Sequence, residues 1–362
     1  MSIEQTSQAF ETLNPIDEAR RQIEICNACR YCEGYCAVFP AITKQKAFGD
    51  GDISQLANLC HNCRGCYYAC QYTEPHEFAL NLPGVLAQVR QDSWQDHAWP
   101  RGVGRAFHRS GVAIAFTVIA GFMALLLAVQ VIGSAGGEGF YATLSHNAMV
   151  AIFVPAFLFP LLSIGISLGR YWAHIGGQRV TLGALKQAFG DAARMKNLAG
   201  GHGEGCNFED EDRFTQLRRI GHQLTMWGFL LCFAATSTAT VMHYVFHMPA
   251  PYDLLSLPKL LGVTGGVLLT LGTAKLAWLK PKGDKALGDV RVWGGEMAFI
   301  LLLFTVALTG LVLYAATGTT AVPLLLALHL GAVLALFLLM PFSKMVHGFY
   351  RLAALVRDAQ DR

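Results

Sequence analysis

Beyond about residue 110 the chain is a succession of long apolar runs: roughly 111–133, 147–169, 222–246, 257–279, 293–316 and 321–343. Each is at or near the ~20 residues that a helix needs to cross a ~30 Å hydrocarbon core. The pattern therefore predicts six transmembrane helices. The second contains Pro155 and Pro160, which predicts a kink. The fourth contains Gly262, Gly265, Gly266 and Gly272, which predicts close contact with a neighbour. The first hundred residues are polar, with short helical segments in place of long apolar ones. Asn14 and Pro15 read as the N-cap and first position of a helix, and 52–59 leads into a cysteine run in the same way. No alternating β-branched run appears. The expected fold is all-α: an N-terminal domain over 1–100 and a six-helix membrane domain over 101–362, with one sizeable extramembrane loop at 170–221.

Charge orients this layout. Only 15% of residues are charged and the net charge is +3, against roughly 25% charged in ordinary soluble domains. Nineteen Lys and Arg fall in one set of segments: 101–109, 170–219, 280–291 and 344–362. The other set holds only Lys259. By the positive-inside rule both termini face the cytoplasm. Met1 to Phe10 is polar, with no signal-peptide core. No nucleic-acid partner is expected.

The N-terminal domain carries the chemistry. Cys26-x2-Cys29-x2-Cys32-x3-Cys36 recurs as Cys60-x2-Cys63-x2-Cys66-x3-Cys70. Two-residue gaps let a tight turn aim three thiolates at one [4Fe–4S] cube. In two-cluster ferredoxins the fourth cysteine of each run serves the other cube. The expected ligand sets are Cys26, Cys29, Cys32 and Cys70 for one cluster, and Cys60, Cys63, Cys66 and Cys36 for the other. Zinc sites use paired C-x2-C units instead, and disulfides need an oxidising compartment. The proline that commonly follows the fourth cysteine is absent, replaced by Ala37 and Gln71. The module thus reads as a helical dicluster ferredoxin-like domain. The glycine-rich stretch 200–205 lacks G-x-G-x-x-G spacing and a preceding strand, so no dinucleotide site is expected. Cys206 beside it reads as a structural or free thiol, and Cys232 as packing.

Ionisable residues inside a bilayer are costly and tend to be functional. On helix six, His329 and His347 are 18 residues apart, five full helical turns and roughly 27 Å, so they share one face. His222 and His243 on helix three are 21 apart, roughly 31 Å. With the two helices antiparallel, His222 meets His347 at the inner side and His243 meets His329 at the outer side. Each pair suits one bis-histidine haem b, giving one or two haems and a bundle of cytochrome b type. His247 and His146 are rivals for the outer site, His174 and His108 for the inner one. Covalent haem is not expected, since Cys-x-x-Cys-His is absent. Glu296 and Lys275 are candidates to hydrogen-bond a quinone, with snorkelling or capping as the ordinary alternative.

Longer stretches carry a resemblance. Residues 26–40 and 59–71, the segment Gly205-Cys206-Asn207-Phe208, the helix start Arg218-Arg219-Ile220-Gly221-His222 and residues 231–236 resemble the tricarballylate/citrate utilization protein B family. The resemblance spans most of the chain. It implies an electron-transfer subunit of the bacterial inner membrane. Its implied partner is an FAD-dependent dehydrogenase, protein A, which oxidises tricarballylate to cis-aconitate. Protein B then reoxidises that flavin and passes electrons toward the quinone pool. This chain carries no dehydrogenase site of its own. Two alternatives remain: a quinol-driven subunit of heterodisulfide-reductase type, and a redox sensor without turnover.

Overall fold

The computed structural model describes residues 13–36, 38–132, 144–209, 212–250, 252–253 and 255–360. Met1 to Phe10, Ala37 and Arg362 lie outside the described residues. Among those described there is no strand, only the isolated bridges Cys206–Thr215 and Glu209–Gly283. The all-α reading holds.

The N-terminal module is built on α1 (Pro15–Cys29), α2 (Asp50–Leu59) and α3 (Leu82–His97). Asn14 caps α1, its side chain accepting the Asp17 N–H at 3.0 Å, and Pro15 occupies the first helical position, where no N–H is missed. Asn81 does the same for α3 through the Gly84 N–H. The inner faces bury Ala19 and Ile23, Ile53 and Leu56, and Val85 and Leu86 against Phe39 and Ile42. Each large apolar side chain removed from water contributes roughly 1.5–3 kcal/mol.

Six helices are long and apolar enough to cross a membrane: α4 (Val103–Ile132), α5 (His146–His174), α7 (Leu217–Tyr244), α8 (Leu257–Leu279), α9 (Trp293–Ala315) and α10 (Val322–Leu339). The amphipathic α6 (Leu182–Ala193) lies in the loop between α5 and α7, and α11 (Val346–Gln360) ends the chain. Phe116, Val131, Leu271 and Leu324 are exposed on the outside of the bundle. So large an apolar surface suits lipid and not water. α7 packs along α8, where Gly228 and Gly265 let the backbones touch. A Cβ on Gly228 would lie 2.4 Å from the Leu269 nitrogen, and one on Gly265 2.8 Å from the Cys232 nitrogen. That is the small-residue packing used where hydrophobicity gives no drive between helices.

Two details depart from the sequence reading. α5 stays one continuous helix through Pro155 and Pro160, and a break the sequence did not suggest falls in α4, at Ser110 (φ −137°, ψ 32°). The sixth apolar helix does not continue to His347. α10 ends at Leu339, a 3-10 turn follows over Met340–Phe342, and Ser343 is extended before α11 begins. Pro341 lacks the N–H a continuing helix would use. His329 and His347 therefore sit on different helices.

The module and the bundle share a core. Ala184 and Ala188 of α6 and Ala354 and Leu355 of α11 are buried together with α1 to α3. A second seam joins Trp94 of α3, Tyr171 of α5 and Tyr350 of α11, with the two tyrosine rings 4.7 Å apart. These contacts seat the cysteine module on the bundle end that carries the C-termini of α5, α8 and α10.

Candidate metal centres

The two cysteine runs repeat in backbone as well as in spacing. In each, an arginine follows the second cysteine in the left-handed region, Arg30 at φ 56° and Arg64 at φ 70°. A non-glycine residue there costs roughly 1–2 kcal/mol. The strain reverses the chain so that the third cysteine turns back toward the first two.

Cys26, Cys29, Cys32 and Cys70 line one small pocket, with Tyr31 and Tyr72 at its walls. Tyr31 is 65% exposed, so this cavity lies close to the surface. Of the other four cysteines, Cys36 and Cys63 are buried and Cys60 and Cys66 half-buried. Cys36 and Cys66 are the most strongly interacting pair, and Cys60 and Cys63 lie within electrostatic reach of Cys36. The structure thus brings Cys70 to Cys26, Cys29 and Cys32, while Cys36 lies within electrostatic reach of cysteines of both runs. Among the described residues no three His, Cys, Asp or Glu side chains are arranged to hold a single metal ion; a cube spreads its four thiolates over a wider shell.

Electrostatics fit a group that binds thiolates. Burial and then the neighbouring cysteines push the Cys26 thiol up, and push Cys32 up to about 12. Burial does the same to Cys60 and Cys63. Side-chain interaction with Cys36 is the main cause that raises Cys66, and the same interaction lowers Cys36. Packed thiols of this kind stay protonated alone and release protons to a bound metal. Main-chain N–H groups of Asn62 and Tyr72 already donate to the sulfurs of Cys60 and Cys70, at 3.4 and 3.3 Å.

The 170–221 loop covers both runs. Its glycine-rich stretch packs on the first: Gly201 lies so close to Gly34 that a Cβ would fall 1.6 Å from the Gly34 carbonyl oxygen. The stretch is a packing element and not a phosphate cradle. Overpacking costs about 1–3 kcal/mol, so Gly201→Ala is expected to lower the thermal midpoint and expose 196–206 to limited proteolysis. Farther on, the Asn207 N–H donates to the Cys63 carbonyl at 2.8 Å, and Cys206 is fully buried beside it, its thiol donating to the Leu198 carbonyl.

His222 of α7 and His347 of α11 face each other at this end of the bundle. Their ring centres are 5.6 Å apart and their planes are 82° to one another. Two metal–imidazole bonds of about 2 Å each would set ring centres roughly 6 Å apart. The His347 Nδ1–H donates to the Lys344 carbonyl, which leaves Nε2 as the free lone pair, the usual arrangement of a ligating histidine. Nδ1 of His222 is buried without a hydrogen-bond partner. This pair fits a haem iron.

The outer histidines are arranged differently. His243 stacks on His146 at 4.7 Å with planes 22° apart, too close to hold an iron between them. His329 of α10 is held against α9, its Nδ1 3.1 Å from Thr309 Oγ1, and no ring contact joins it to His243 among the described residues. His247 lies beyond the end of α7, exposed, at φ 54°. His174 is bound to Ser54 (3.2 Å) at the module seam, and His108 is buried beside Gly295.

A family profile described as citrate utilization protein B matches residues 109–362. A second, described as the citrate utilization protein B Fer4-like domain, matches residues 19–98. The protein Citrate utilization protein B of Escherichia coli is 43% identical over 357 residues, covering 96% of this chain and 93% of its own length. The chain belongs to the citrate utilization protein B family. No solved structure matches it. The Fer4-like match contains all eight cysteines of the two runs, which makes the module of this family member an iron–sulfur type of domain.

Sequence reasoning passed over the ring of arginines in this citrate utilization protein B relative. Arg90 donates to the Cys60 carbonyl at 2.9 Å and Arg351 to the same oxygen at 3.0 Å. Arg218 donates to the Asn62 carbonyl at 2.6 Å, and Arg64 to Asn62 Oδ1 at 2.9 Å. Both of these lie over the Phe208 ring. Burial pushes Arg64 down to about 10, and lowers Arg90 and Arg351 as well. Only the shared Cys-x-x-Cys-Arg phrase hinted at a role. Glu296 bridges Lys280 and Lys344, and so anchors the turn that carries His347. Lys275 lies against Gly221 in the α7–α8 contact.

Proposed function

We propose that the chain is a membrane electron-transfer subunit. It takes electrons from a partner FAD-dependent dehydrogenase of the tricarballylate or citrate type, by way of two [4Fe–4S] clusters and haem b, to the quinone pool. The observation that carries this reading is the contact between the second cysteine run and the inner histidine pair. Arg351 sits one helical turn after His347 on α11 and donates to the Cys60 carbonyl, while half-buried His61 lies within electrostatic reach of His222.

In the proposed assignment Cys26, Cys29, Cys32 and Cys70 hold the cluster nearer the surface, where a soluble flavoprotein can approach. Cys36, Cys60, Cys63 and Cys66 hold the other, and His222 and His347 hold haem b. When bound, these groups carry single electrons. The residues fix where those electrons can reside: Lys344 orients His347, and the 170–221 loop keeps water from the second run. The balance is two electrons and two protons from a reduced flavin, and two of each onto a quinone to give quinol. The Lys and Arg asymmetry supports a cytoplasmic module and cytoplasmic termini.

Purified protein in vesicles, reduced with dithionite and freed of excess reductant, is expected to be reoxidised by a soluble quinone analogue. Failure of the analogue to reoxidise the haem would contradict the proposed acceptor. Net reduction of the clusters by quinol would favour the outward-running alternative.

A further inference from the structure

The arginines around the second cysteine run have no ion-paired counter-charge; Asp284 acts on Arg64, and Glu296 on Arg90 and Arg351, only at longer range. Arg64 is 5% exposed and Arg90 7% exposed; Arg218 and Arg351 are half-buried, and Nε of Arg351 is buried without a hydrogen-bond partner. Among the described residues none of the four forms an ion pair with a carboxylate. Their partners are carbonyl oxygens, an amide and aromatic rings. A guanidinium stays charged in proteins, and an isolated buried charge is strongly unfavourable unless an opposite charge meets it. Four of them converge on one segment, residues 60–64. The anion missing from that site is a thiolate-bound metal group.

The first run offers the control. Arg30 occupies the same place in the repeat and the same left-handed backbone, yet it is exposed and folded back on the Asn27 carbonyl at 2.9 Å. The symmetry of the motif is thus broken by charge.

We propose that Arg64, Arg90, Arg218 and Arg351 are the fixed counter-charge of the second cysteine group and hold a cluster there at a higher reduction potential than one in the first. The inference rests on the two-cluster reading above. Potentials of such clusters follow net charge, hydrogen bonds to sulfur and exposure to solvent. Hydrogen bonds to sulfur occur in both groups: Tyr72 N–H to Cys70 and a long contact of 3.9 Å from Gln71 to Cys29 in the first, and main-chain N–H groups of Asn62 to Cys60, Gly65 to Cys63 and Val38 and Phe39 to Cys36 in the second. What sets the second group apart is full positive charges in a low-dielectric site, which outweigh single dipoles. They also offset the effect of burial, which alone would disfavour the more negative, reduced form. The consequence is a downhill order, from the surface group to the one beside His347, with one group oxidised as the other is reduced.

The test is a redox titration followed by electron paramagnetic resonance on the purified, cluster-loaded protein, with Cys29→Ser assigning the first group's signal. The second group is expected to be reduced first as the potential falls. Arg351→Gln should lower its reduced-to-oxidised ratio about tenfold at a fixed potential, about 59 mV for one electron, leaving the first group unmoved. Arg351→Lys should restore most of that ratio. Equal midpoints in the unaltered protein, or the reverse order, overturn the proposal. So does Arg351→Gln acting on neither group or on both alike. Should Arg351→Gln fail to fold, the order in the unaltered protein decides. Absence of either signal in that protein overturns the two-cluster reading itself.

Discussion

Cys29→Ser is expected to abolish electron transfer from reduced flavoprotein to quinone while leaving the haem spectrum intact. Cys29 lines the cavity near the surface together with Cys26, Cys32 and Cys70, and a cube needs all four thiolates. Serine removes one without changing the volume much, so the helix that carries Cys26 and Cys29 should remain folded. Iron should fall from about eight to about four atoms per chain beyond the haem, with sulfide falling in parallel. Turnover with the partner should fall by at least about a hundredfold, the upper range for losing even a supporting residue around a metal. The measurement is iron and sulfide content beside quinone reduction. Loss of the haem bands in this variant, with the clusters kept, would contradict the modular order of the sites.

His347→Ala is expected to do the converse. It removes the only side chain of α11 that faces His222 in ring contact, and should cost about one haem per chain, since a bis-histidine iron loses an axial ligand. His222→Ala should give the same spectrum. Iron and sulfide of the clusters should be unchanged, because the Cys60 carbonyl keeps its donors Arg90 and Arg351. Haem content by pyridine haemochrome checks this. Full haem retention in both variants would move the site to the outer histidines. His329→Ala is the companion: it leaves the inner pair untouched and loosens only the contact with Thr309.

The parts of the fold legible in the sequence are those set by local rules. Helix length against bilayer thickness gave the six spans, and the Asn14 cap gave the start of α1. The Fer4-like character of the module is readable because cysteine spacing is a short-range pattern, here written twice. The spacing matches His347 to His222 only along one continuous helix, and Pro341 breaks that helix. The pairing survives because α11 folds back over α5 and α6 and returns the imidazole to α7. The expected meeting of His243 with His329 depended on how α7 leans against α5 and α10, a tertiary matter, and here His243 lies on His146 instead.

Other features left no local trace. Nothing in the phrase Cys-x-x-Cys-Arg distinguishes Arg30 from Arg64; their difference comes from Asn62, Phe208 and Leu287 closing over the second run alone. The close approach of Gly201 to Gly34 joins residues far apart in the chain. It explains a glycine-rich stretch that sequence alone could only exclude as a dinucleotide loop.

The central claim is that one polypeptide carries iron–sulfur groups and haem in contact, from a water-facing module into lipid. The visible absorption spectrum of the purified protein, before and after dithionite, tests it most directly. A broad absorption that bleaches on reduction, together with sharp b-type haem bands that appear, is the expected result. A preparation that is colourless in both states, with neither feature present, would contradict the account.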